Sequence, residues 1–343
     1  MSERGLRKSV ISLTAATGIV EAIEAGGADA DAVLRPFGLD RRRLLNPQGF
    51  MPSADFARLL DSAAVATGND GFGLRFGARF NPKDVGPLTY VILHSPTVGV
   101  ALANAGRYLR VHNTGAAVAY LRQPPVALLQ HELFGVPVEL RRQHSEYSLA
   151  IALQTVRLMA GSAWSPLEVQ FEHKAPADTS AHVEVFGAPV SFECPAGAFV
   201  VDLEFAERQI PAADARLYPT LTRYLDDMLQ AMPAEDTFLA SLRRAIGETL
   251  RHGPPDLSTV AHEVALGART LQRRLTDAGL DFKTLVDDTR HRLALRYLAD
   301  PKHTLTEVAY LLGYSETSAF NRAFRRWTGS TPLQYRRGKL RPS

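Results

Sequence analysis

Residues 305–332 read LTEVAYLLGYSETSAFNRAFRRWTGSTP. Leu305, Val308, Ala309 and Leu312 stand at i, i+3, i+4 and i+7, which places them on one face of a helix. Thr304 ahead of them and Glu307 three residues later fit a capping box that starts that helix. Gly313 permits the positive φ of a tight turn, and Ser315 is placed to cap a second helix. Phe320, Phe324 and Trp327 form the apolar stripe of that second helix. The whole reads as a helix–turn–helix.

The pattern occurs twice. Leu257, Val260, Ala261 and Val264 repeat the first stripe 48 residues upstream. Leu271, Leu275 and Ala278 repeat the second, now displaced by 49, so one extra residue stands near the start of the last helix. A duplicated helix–turn–helix accounts for both offsets. In the first copy Ala265 and Gly267 occupy the turn, which must therefore form without a glycine at 265. Between the copies Phe282, Leu285, Val286, Thr289, Leu293 and Tyr297 define one long helix, ended by Asp300-Pro301.

Opposite the leucines, Arg269, Gln272, Arg273 and Thr276 share a polar face. Opposite the phenylalanines, Thr317, Ser318, Asn321, Arg322 and Arg325 do the same. Arginine can bond guanine O6 and N7 in bidentate fashion, and Gln or Asn can do so with adenine. Arg269, Gln272, Arg273, Thr317, Ser318, Asn321 and Arg322 are the candidate base readers. Arg274, Arg325, Arg326, Arg336 and Arg337 are the candidate phosphate contacts. Charge supports a polyanion partner: from Asp256 onward there are fifteen Lys and Arg against nine Asp and Glu, while the remainder carries twenty-four against twenty-seven.

Residues 256–336 resemble the C-terminal DNA-binding domain of the AraC/XylS family of bacterial regulators. The Gly-Tyr-Ser turn, the Phe–Arg–Phe helix, the Thr-Gly-x-x-Pro exit and the Arg-Thr-Leu-Gln-Arg-Arg run at 269–274 carry the resemblance. It implies that both second helices enter successive major grooves on one side of the duplex. Residues 15–205 more weakly resemble the arabinose-binding-like sensor of the branch that holds ornithine-responsive and virulence regulators. There the carriers are Phe37 to Asp40, Phe72-Gly-Leu-Arg-Phe-Gly77 and residues 86–108. The resemblance implies a small-molecule effector, a homodimer on promoter DNA and, for an activator, RNA polymerase as a partner.

The expected architecture is an α+β sensor and dimerisation domain (1–205), a helical connector (206–254) and an all-α DNA-binding domain (255–343). Short helices fill residues 1–112. Residues 116–123 and 126–134 read as a hairpin across Pro124-Pro125, helical spacing returns at 147–159, and 167–172 and 198–203 read as strands. Leu217, Leu221, Leu225 and Met228 form a narrow stripe that suits pairing of two helices, or packing of one helix on its own domain. Arg75, Arg79, Arg107, Tyr108 and Arg110 are candidate ligands for an acidic effector.

Other classes fit less well. A DNA-repair methyltransferase with such a module needs zinc-bound cysteines, and Cys194 is the only cysteine. His94, His112, His131, His144 and His173 offer no i, i+4 pair for a metal or haem. No nucleophile elbow or phosphate loop is present, so no catalytic residue, metal or cofactor is expected. The N-terminal domain could also serve only as a dimer platform. There is no apolar run of membrane-spanning length, and the segment after the basic N-terminus carries Glu21 and Glu24, unlike a secretory signal. A cytoplasmic protein is expected.

Overall fold

A computed structural model describes residues 9–133, 136, 138–194, 196–232, 235–277, 280–299, 303–328 and 331–340, with backbone only at 138, 235–241, 277, 295–296, 299 and 337–340. Phe134, Ala278, Asp300-Pro301 and the Arg337 side chain, all used in the sequence reading, lie outside the described residues. The chain divides into two units, one of Ser9–Met232 and one that begins at Pro233.

The first unit is α+β. Strands β1 (Val10–Ser12) and β2 (Phe50–Pro52) pair antiparallel. A five-stranded sheet holds β3 (Ala116–Gln123), β4 (Val126–Leu133), β5 (Glu168–Gln170), β6 (Val190–Ser191) and β7 (Gly197–Asp202), in the order β3-β4-β7-β5-β6. The expected hairpin is β3–β4, with Ala116 opposite Leu133 and Gln123 opposite Val126. The two later runs are β5 and β7. β1, β2 and β6 span two or three residues each, too few for a period of two to be read.

Helix Arg141–Ala160 is the spine of this unit. Leu149, Ala150, Leu153, Val156 and Met159 join the core against the sheet, with Phe171, Phe186 and Phe199. Tyr147 joins a second core with Phe56, Leu59, Leu60, Phe72 and Phe76. Helix Phe72–Arg79 lies tight against this spine. A Cβ on Gly73 would collide with the Gln143 carbonyl, and one on Gly77 would come within 2.5 Å of the Tyr147 carbonyl. The two glycines of the Phe72–Gly77 stretch thus let two backbones touch, four residues apart on one helical face.

The structure corrects the connector. Helix Leu217–Ala231 belongs to the first unit: Leu225 is fully buried in the sheet-side core, and Leu221 and Met228 pack on it. The stripe 217–228 is therefore consumed by its own domain, leaving Leu217 and Tyr224 as its exposed apolar residues. Helix Glu235–Leu250 belongs to the second unit, where Leu242, Ala245, Ile246 and Leu250 are buried with Leu271 and Leu275. The break falls before Pro233, and the boundary expected between 254 and 255 sits inside the second unit.

That second unit is all-α. Helices Leu257–Glu263 and Ala268–Asp277 form the first helix–turn–helix; Leu305–Leu311 and Thr317–Thr328 form the second. Helix Phe282–Ala299 runs between them, and Pro332–Leu340 closes the chain. The long helix is shared by two cores. Leu285 and Val286 pack with Val260, Leu271 and Leu275, while Ala294 and Leu298 pack with Val308, Leu312, Phe320 and Phe324. It is the strut that the spacing predicts.

Candidate nucleic-acid interface and ligand cavity

The two turns have the same hydrogen bonds. Leu266 N donates to Ala261 O (2.9 Å) and Ala265 N to His262 O (3.0 Å). In the second copy Tyr314 N donates to Ala309 O (3.0 Å) and Gly313 N to Tyr310 O (2.9 Å). Each partner is displaced by the same 48 residues. Gly313 has φ 73° and Ala265 has φ 55°, so the alanine adopts the left-handed conformation that glycine takes in the other copy. Replacing Ala265 with Gly removes the Cβ penalty of that conformation, roughly 1–2 kcal/mol, against about 0.4–1 kcal/mol of added chain entropy in the unfolded state. A net gain of about 0.5–1 kcal/mol is expected in urea unfolding of the full chain. A loss of stability would show that the turn is not left-handed.

Of the two caps expected from sequence one is found and one is moved, and Asp256 adds a third. Asp256 caps Leu257–Glu263 by accepting from Ser258 N (2.8 Å) and Thr259 N (3.0 Å). These bonds hold its carboxyl below the usual range, the Thr259 hydroxyl contributing most. Thr304 and Glu307 make the reciprocal capping box. The last reading helix, however, begins at Thr317, and Phe320 N bonds Glu316 O. Glu316 therefore stands where Ser315 was expected, because the inserted residue moves the start by one.

On the first reading helix Arg269, Gln272, Arg273 and Thr276 are exposed, while Leu271 and Leu275 are fully buried. On the second, Ser318, Arg322 and Arg325 are exposed and Thr317 is half-buried. Asn321 is half-buried too, with its Oδ1 withdrawn from solvent and without a hydrogen-bond partner. Arg274 is half-buried. Arg326 pairs with Asp287 of the strut (2.9 Å), and Arg336 has Nε and Nη2 buried without partners. Arg336 is thus set into the domain, whereas Arg325 and Arg326 both stand exposed, Arg326 with its tip paired to the strut.

Sequence reading missed Arg290. Its Nε donates to the Leu312 carbonyl (3.1 Å), its guanidinium lies over the Tyr314 ring (4.8 Å), and Asp287 is 3.8 Å away. One strut arginine thereby grips both sides of the second turn. Only its place in the middle of a helix was visible in sequence, and there it looks like any solvated cation.

The first unit contains a cavity of ≈ 150 Å³. Its wall is largely aliphatic and aromatic, including Ile92, Leu102, Leu129, Val156, Met159 and Phe199, and is interrupted by His112, Gln130, His131, His144 and Ser148. Burial lowers the histidines to about 4, about 4 and about 3 for His112, His131 and His144, so all three are neutral at physiological pH.

None of the arginines expected to bind an effector lines this cavity. Arg75 and Arg79 are exposed on their helix, and Arg110 is half-buried outside the wall. Tyr108 is buried and donates to Asp226 (2.8 Å), which also pairs with Arg107 (2.8 Å). Burial and that bond push the Tyr108 hydroxyl up to about 12. Tyr108 and Arg107 therefore pin helix Leu217–Ala231 to its domain. The pattern of basic residues had suggested a site where the fold places a fastening.

His94 bonds the Ala212 carbonyl (2.8 Å), and His173 lies 3.6 Å from the buried Glu146, which also accepts from Arg142 and His182. Among the described residues no three His, Cys, Asp or Glu side chains are grouped to hold a metal ion. No described helix is long and apolar enough to cross a membrane.

Comparison with known proteins matches residues 27–210 to the model described as the arabinose-binding domain of AraC transcription regulator, N-terminal, and residues 260–338 to a helix-turn-helix domain. The chain is 32% identical over 332 residues to the HTH-type transcriptional regulator VirS of Mycobacterium tuberculosis, covering 96% of each. It is 30% identical over 307 residues to the ornithine utilization regulator of Pseudomonas aeruginosa, covering 89% of this chain and 88% of that one. Among solved structures, the transcriptional regulator CdpR from Pseudomonas aeruginosa matches with 23% identity and a TM-score of 0.44, over 92% of this chain and 97% of that one.

Proposed function

The chain belongs to the AraC family of DNA-binding transcription regulators, and from that premise we propose that each monomer reads two successive major grooves in response to a small molecule held in its N-terminal unit. The observation that carries the reading is the repeated turn. Identical backbone bonds at a fixed offset present two helices, each with an apolar buried face and an exposed polar one. The strut has 18 residues, about 27 Å of helix, on the scale of the roughly 34 Å repeat that separates major-groove sites on one side of a duplex.

Arg269, Gln272, Arg273, Thr317, Ser318 and Arg322 are the base readers in this proposal, and Arg274, Arg325 and Arg326 contact phosphate. The protein acts in the cytoplasm as a dimeric activator that meets RNA polymerase at the promoter, with no catalytic step of its own. The stripe through Leu225 does not provide the dimer contact, since that residue is already buried. Selection of bound sequences from random DNA by the full-length protein at moderate salt tests the reading. The expected result is a motif of two elements about one helical turn apart; retention of DNA without sequence preference would overturn it.

A further inference from the structure

We propose that the cavity of the first unit takes an uncharged, largely apolar small molecule of about one aromatic ring, held through a single hydroxyl or carbonyl group by His144. This rests on the effector reading above and names the chemistry of its ligand.

Three observations converge. Among the described residues the wall contains no Asp, Glu, Lys or Arg, so an ionised ligand would lose its hydration with no opposite charge to replace it. Four of the polar neighbours are already committed. Thr89 Oγ1 donates to the Pro82 carbonyl (2.6 Å), Thr155 Oγ1 to the Ile151 carbonyl (2.9 Å), and the Tyr147 hydroxyl to the Ala15 carbonyl; Asn113 Oδ1 accepts from Gly115 N (2.8 Å).

Of the others, Gln130, His131 and Ser148 are half-buried, and His144 alone is fully buried with both ring nitrogens unpartnered. It is 0% exposed, and neither Nδ1 nor Nε2 has a hydrogen-bond partner. Its ring is wedged edge-on against Phe56, with centroids 5.2 Å apart. A neutral imidazole offers one donor and one acceptor, and burial keeps this ring neutral. It can therefore donate to a carbonyl or exchange either role with a hydroxyl. Size sets the last limit: at ≈ 150 Å³ the space matches cavities that admit a benzene-sized molecule and excludes a sugar with several hydroxyls to satisfy.

The test is calorimetry and thermal shift on the full chain with phenol and indole as neutral probes, benzoate and benzylamine as charged ones, and toluene as the bare body. Phenol or indole should bind and raise the melting temperature, with the charged probes inert. His144→Phe, which preserves ring volume, should weaken phenol roughly tenfold and leave toluene unchanged, a change of one hydrogen bond. Ala152→Leu, which fills the cavity, should abolish both.

The proposal is overturned if benzoate or benzylamine binds as well as phenol, or if His144→Phe leaves phenol binding intact. It is also overturned if binding survives Ala152→Leu, or if no neutral probe binds up to its solubility. DNA selection with the same preparation separates the two readings. Site-selective DNA binding without probe binding removes only the ligand inference, and probe binding without site selection removes the regulator reading.

Discussion

Replacing Arg273 and Arg322 together with alanine is expected to weaken binding to the selected DNA site by about 2–6 kcal/mol, roughly thirty-fold to twenty-thousand-fold. The two arginines stand on different reading helices, each exposed beside a fully buried apolar stripe. A bidentate pair to guanine contributes about 1–3 kcal/mol of discrimination, and sites far apart add. Affinity for unrelated DNA should fall much less, because it comes mainly from phosphate neutralisation. Each single variant should relax preference at its own half of the motif and leave the other half sharp.

Arg325→Ala is the control. Its side chain is exposed on the second reading helix and in the proposal meets phosphate, so its loss should weaken all sequences alike and reduce the salt slope by about one. Quantitative binding of the selected site and a scrambled site, each across a salt series, distinguishes these outcomes. An unchanged motif in the double variant would remove the base-reading assignment. A changed preferred site in Arg325→Ala would remove the phosphate one.

The sequence exposed the second unit so fully because its information is local and stated twice. Stripes at helical spacing, a capping box at Thr304 and a glycine at 313 each act within a few residues, and each is found in the structure. The turn at Ala265, which the sequence requires to form without a glycine, is left-handed and held by local backbone bonds. What the reading missed there is long-range. Arg290 grips Leu312, which lies twenty-two residues away.

The first unit is harder to read for the same reason. Its cavity wall gathers residues from Ile11 to Phe199 on many elements, and no spacing rule joins Leu88, Leu129 and Val156. Tyr108 and Arg107 stand out in sequence as a basic-aromatic cluster, but their partner Asp226 lies on a helix read as part of a separate connector. The stripe of Leu217, Leu221, Leu225 and Met228 is legible as an apolar face; periodicity does not say what covers it, and here the domain's own core does. Buried histidines are equally silent in sequence, since one residue type serves as ligand, switch or packed ring.

Acid should expose that last distinction as the second large effect. His144 has its folded value lowered to about 3 by burial, while in the unfolded chain it titrates near 6.5. The unfolded chain therefore binds the proton first, and stability is full above about pH 6.5 and falls as pH drops toward 3. At pH 5 His144 alone should cost about 2 kcal/mol relative to pH 7.5, at about 1.36 kcal/mol per unit. His112 and His131, both lowered to about 4, act in the same direction. Asp61 opposes them: burial raises it to about 6, so it contributes more stability as pH falls. Because of that opposition the test is the difference between wild type and His144→Phe, which removes one proton site from a fully buried position. Trp164 stacks on Phe205 in the first unit, and Trp327 is the other tryptophan. In a Trp327→Phe background, urea unfolding monitored by fluorescence reports the first unit. Wild type should lose about 2 kcal/mol more than His144→Phe between pH 7.5 and pH 5. Parallel curves would mean that His144 reaches water or a hydrogen-bond partner in solution, and the anchor proposed for the ligand would be lost.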